Sequence, residues 1–124
     1  MMRWCVLAAL LLAQSALAGG KAPTPQPPLK AGSYTFQHRY AEQPTMGSIS
    51  VRVHIKGQRI TVVNADTSHV FPKGVIAKGL LLWNEPTGQW IIGETEADRY
   101  NSEVGGCSAG PDVVDLVKRI YWTC

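Results

Sequence analysis

Three histidines, a run of carboxylates, two late cysteines and several tryptophans are the residues here whose types could support chemistry. His38, His54 and His69 lie far apart in the chain. None has the i, i+2 or i+4 spacing that turns two imidazoles toward one ion, and a catalytic zinc needs three protein ligands and an open position. No metal or cofactor is expected on them. Glu94, Glu96 and Asp98 are closely spaced, with Glu103 nearby. Paired carboxylates can run glycoside hydrolysis or hold calcium. The calcium-loop pattern of alternating acids closing on a glutamate is missing, however. A hydrolase using His38 or the Glu94/Glu96 pair is therefore the enzymatic alternative, and no catalytic residue is assigned. The serines lack a Gly-X-Ser-X-Gly elbow. Gly105-Gly106 lacks the Lys-Ser/Thr that completes a phosphate loop.

The remaining candidates suit binding better than catalysis. Trp83, Trp90 and Trp122, with Tyr34, Tyr40, Tyr100 and Tyr121, are many aromatics for a short chain. Such residues fill cores, line ligand pockets and anchor interfaces. Tyr100, in a long loop, is the exposed anchor, and Trp83 and Trp90 are candidate lining residues. Arg52, His54, Lys56 and Arg59 crowd one hairpin as a basic patch. The patch either contacts an anionic envelope polymer or is the charged solvent face that blunts a sheet edge.

The N-terminus limits where these residues work. Arg3 precedes an apolar run from Val6 to Ala13, and the stretch closes on Ala16-Leu17-Ala18 before Gly19-Gly20. This is the pattern of a cleaved secretory signal, residues 1–18. The apolar run is far short of the roughly 20 residues that span a membrane. Cys5 leaves with the signal, so Cys107 and Cys124 form the single disulfide expected in an oxidising compartment. Cleavage also removes Arg3, lowering the formal net charge from +3 to about +2. That balance is too weak to make nucleic acid the main partner.

The elements that must position the candidates read mostly as strands. Residues 19–32, GGKAPTPQPPLKAG, form a Pro/Gly-rich flexible linker. From Ser33 onward, Tyr34, Phe36, His38 and Tyr40 alternate with polar residues, which turns His38 inward. There it is either a hydrogen-bonded core residue or a polar group lining a ligand cavity. Ile49, Val51, Val53 and Ile55 alternate even more clearly, and Lys56-Gly57-Gln58 turns the chain into a second arm. Val75 to Trp83 is apolar on both faces, Asn84-Glu85-Pro86-Thr87-Gly88 is a turn, and Gln89 to Thr95 is a further strand. Residues 112–124 carry both a helical spacing and a β-rich composition, and the strand reading is preferred.

Together these features predict an all-β, mainly antiparallel domain over 33–124, a small barrel or sandwich of five or six strands. The expected function is a secreted or periplasmic non-catalytic binding protein. Its long loops, 64–74 and 95–111, would present a surface to a protein partner or a small ligand. An envelope-associated structural role is the third alternative.

Overall fold

A computed structural model of the chain describes residues 23–65 and 70–124. The expected signal segment with Cys5, the first residues of the linker and His69 lie outside the described residues. The chain forms seven strands: β1 (Gly32–Tyr40), β2 (Ser50–Lys56), β3 (Arg59–Asn64), β4 (Gly74–Asn84), β5 (Gln89–Gly93), β6 (Asp112–Asp115) and β7 (Ile120–Thr123). Each strand pairs antiparallel with the next, and β7 returns beside β1 in parallel, with Gln37 opposite Ile120. The single sheet thus closes on itself as a small, irregular barrel. Among the described residues, no helix is long and apolar enough to cross a membrane.

Alternation builds the first half. In β2, Val51, Val53 and Ile55 are buried while Ser50, Arg52, His54 and Lys56 are exposed. β3 repeats the pattern through Ile60 and Val62. Gly57 takes φ +57° at the hairpin turn, a conformation that costs glycine little. These side chains meet Phe36, Leu81, Ile92, Val114 and Tyr121 in one core that fills the barrel interior.

β4 has two apolar faces because it has two faces to bury. Leu81 points into the barrel, whereas Leu82 packs outside it with Ile91 and Val113, covered by Leu80, Val104 and Trp122. The glycine inside β4 allows a close approach. A Cβ on Gly79 would collide with the carbonyl of Gly93 on β5. β4 is also the strand that bulges: Val62 pairs with Ala77 and Val63 with Val75, which leaves Ile76 as an extra residue three positions before Gly79.

The C-terminal segment is neither a helix nor one strand. It is a tight hairpin of β6 and β7, which raises the strand count to seven. Asp115 Oδ1 accepts hydrogen bonds from the backbone N–H groups of Val117 (3.0 Å) and Lys118 (2.8 Å), and Arg119 adopts φ +57°. An aspartate that captures the backbone two and three residues on bends the chain without a glycine or proline.

The Pro-rich segment also has contacts. Leu29 is half-buried against the core, and the Tyr34 hydroxyl donates to the Lys30 carbonyl at 2.5 Å. Residues Thr24 to Pro27 lie by Gln58, Leu81, Trp90 and Arg99, around an open hollow of about 250 Å³.

Candidate functional site

Two carboxylates of the acidic cluster, Asp98 and Glu96, have hydrogen-bond partners within the protein. Asp98 Oδ2 accepts from the N–H groups of Glu94 (2.7 Å) and Thr95 (3.3 Å), fixing the short 3-10 turn Glu96–Tyr100. Glu96 receives Arg99 Nε at 2.6 Å and Gln58 Nε2 at 2.8 Å. The Arg99 hydrogen bond, helped by Gln58, holds its carboxyl below the ordinary glutamate value. Glu94 and Asp98 do line an open, mostly polar hollow of about 420 Å³, together with Lys78, Asn101 and Asp112. Asp112 Oδ2 in turn accepts from the Tyr121 hydroxyl at 2.7 Å. Burial and that carboxylate push the Tyr121 phenol well above its usual range, so it stays protonated.

His38 is wholly buried. Its Nδ1 meets Ser48 Oγ at 2.6 Å and its Nε2 meets Thr123 Oγ1 at 2.8 Å, so both ring nitrogens are satisfied. Tyr40 and Phe71 pack edge-on against the ring at 4.6 and 4.8 Å. Burial is the main reason its pKa lies below the usual 6.5, and the neighbouring Arg39 charge adds to the shift. No hydrogen bond among the described residues joins His38 to Glu94 or Asp98, and His38 does not line the acidic hollow.

The tryptophans do converge. Trp83 on β4 and Trp90 on β5 are directly paired, with ring centroids 5.3 Å apart in an edge-to-face contact. Trp122 on β7 joins them around a third open hollow of about 260 Å³, whose wall continues through Val113 to Val117 of the β6–β7 hairpin. Val117, on the turn, is 80% exposed. Tyr100 is also exposed, but it stands at the end of the 3-10 turn and does not line this hollow.

The surrounding framework is fixed by residues that sequence reasoning passed over. Asn84 is fully buried. Its Nδ2 donates to the carbonyls of Asn101 (2.8 Å) and Asp98 (3.0 Å), while its Oδ1 accepts from the Thr87 hydroxyl (2.6 Å) and N–H (3.1 Å). One side chain therefore ties the β4–β5 turn to the long loop. In that loop a Cβ on Gly110 would collide with the Glu103 carbonyl. Buried Asn64 plays a similar part in the β3–β4 loop, donating to the Phe71 carbonyl at 2.9 Å. Part of that loop lies outside the described residues. In sequence both asparagines look like ordinary turn residues, and only their position at the end of an apolar run hints that they are buried.

Cys107 and Cys124 form the expected disulfide, with Cα atoms 4.6 Å apart. Glu42 Oε1 lies 3.3 Å from the Cys107 sulfur. That sulfur carries no proton in the disulfide, so this is a close contact and not a hydrogen bond.

No protein family, curated protein or solved structure matches the chain, so the site must be interpreted from its own geometry.

Proposed function

We propose that the chain is an exported, non-catalytic binding module that holds a projecting side chain of a protein partner in the tryptophan hollow. The observation carrying this reading is the convergence of Trp83, Trp90 and Trp122 on one open hollow whose rim holds the exposed Val117. Tryptophan is enriched among the few residues that dominate interface energies, and such anchors sit in pockets. At about 260 Å³ the hollow is smaller than the roughly 300–1,000 Å³ pockets that enclose whole small ligands. Its size suits one apolar or ring-bearing side chain. The barrel interior, filled by its own core, favours an external site over an enclosed ligand. Asn84 and the disulfide pre-order the adjoining loop, which lowers the entropy cost of binding. The signal pattern and the disulfide support export.

The test is a quantitative pull-down from an extracytoplasmic extract, comparing the parent chain with Val117→Asp and Trp122→Ala. Val117 is exposed, so Val117→Asp should melt like the parent yet lose a stoichiometric protein partner. Equal retention of that partner by both variants would refute the reading.

A further inference from the structure

Charge is sharply segregated on this barrel. Strands β1 to β4 contain five basic residues, Arg39, Arg52, Lys56, Arg59 and Lys78, and no aspartate or glutamate. Residues 85–115 contain seven acids and one base, Arg99. The small overall charge therefore conceals a basic group of strands and an acidic later stretch of chain.

The register gathers four of these bases on one outer surface. Directly opposed residues in a sheet share a face. Ser33 lies opposite His54, His54 opposite Thr61, and Thr61 opposite Lys78, forming one row across four strands. The row above it holds Thr35 and Arg52, and the row below it sets Lys56 directly against Arg59. Like charges facing each other across a hairpin cost stability. No ion pair among the described residues relieves Arg52, Lys56, Arg59 or Lys78, and of the four only Lys78 borders the acidic hollow of Glu94, Asp98 and Asp112. A surface that sets like charges side by side without pairing them suits an anion from outside.

We infer that the outer face of β1–β4 is a docking surface for a flexible linear polyanion, an acidic glycan carrying sulfate or phosphate groups. Two observations favour this occupant. The face belongs to a closed barrel and is convex, so a flexible chain follows it while a flat membrane meets only its ridge. Its outward positions on β1 and β2 are Ser, Thr, Gln, Arg, His and Lys. They offer none of the Phe, Tyr or Trp platforms on which single-stranded nucleic acids stack. The surface is separate from the tryptophan hollow, and the two can be tested independently.

The experiment uses the full chain, purified after processing by its expression host. It measures binding to heparin, to vesicles of phosphatidylcholine mixed with phosphatidylserine, and to a single-stranded oligonucleotide over a range of salt. The neutral triple variant Lys56→Gln, Arg59→Gln, Lys78→Gln is compared with the charge-conserving Lys56→Arg, Arg59→Lys, Lys78→Arg. A lost contact between unit charges in water weakens binding by about fivefold, so the neutral triple should bind heparin about a hundredfold more weakly. Its salt slope should flatten by roughly one unit per charge removed. The conserving triple should bind like the parent, Lys118→Gln should change little, and the neutral triple should melt no lower than the parent. Heparin binding unaffected by the neutral triple would overturn the proposal. So would tighter binding to the vesicles or the oligonucleotide than to heparin.

Discussion

Replacing Asn84 with alanine should loosen the long loop and sharply lower the stability of the domain. The side chain is fully buried and makes four hydrogen bonds of 2.6–3.1 Å, two as donor and two as acceptor. A typical intramolecular hydrogen bond contributes a net of about 1 kcal/mol, and a buried partner left unsatisfied costs more. The Asn101 carbonyl and the Thr87 N–H would lose this partner and the Asp98 carbonyl would keep the Asn101 N–H (3.2 Å), so the loss of all four bonds should cost about 3–4 kcal/mol. For a domain of this size each kcal/mol moves the melting temperature by roughly 4–8 °C, giving a fall of about 12–30 °C. Thermal melts followed by far-UV circular dichroism measure this directly. Hydrogen exchange should meanwhile show faster opening at residues 94–102. Asn84→Asp should be worse than alanine, because it sets a carboxylate against two carbonyl oxygens in a buried site. An Asn84→Ala protein within 1 kcal/mol of the parent, or an Asn84→Asp protein as stable as the parent, would show that this side chain does not fasten the loop (about 1 kcal/mol being the worth of a single such bond).

Two further outcomes follow from the same contacts. Reducing the Cys107–Cys124 bond, which spans a separation of 17 residues, should cost about 3 kcal/mol in the chain-entropy account. An unchanged melt with two free thiols would contradict it. His38 should make stability depend on pH in a defined window. Its folded-state pKa is depressed by burial, so the unfolded chain binds a proton more readily. Stability is then complete above the unfolded value of about 6.5 and declines as pH falls from there toward the depressed folded value. Melts from neutral to mildly acidic pH should show the decline, and His38→Gln should flatten it. An equally steep decline in His38→Gln would assign it to other groups.

The parts of the fold visible in the sequence are those where one face of a strand is wet. β2 could be placed in register from Val51, Val53 and Ile55 because every alternate residue is polar. β4 showed its double burial but not the cause, since the outer cluster forms only when the 94–111 loop lays Val104 over Val113. The β6–β7 hairpin was concealed by its turn chemistry. Asp115 bends the chain where no glycine or proline marks it, and Val113, Val117 and Ile120 imitate a helical stripe. The pairing of Trp83 with Trp90 follows from the hairpin turn between them, but the arrival of Trp122 depends on a strand far along the chain. Of the basic hairpin, Arg52, His54, Lys56 and Arg59 could be read locally, whereas Lys78 joins them only through the β3–β4 register.

The parallel pairing of β1 with β7 sets the order in which this barrel can be made. Gln37 has no Ile120 to pair with until all five intervening strands have been synthesised. A nascent chain can form the β2–β3 hairpin early, but one edge of β1 must wait for the last strand. Until then the growing chain can form at most an open sheet with two unpaired edges. Closure of the ring and the disulfide beside it thus both depend on the last few residues of the barrel, β7 and Cys124.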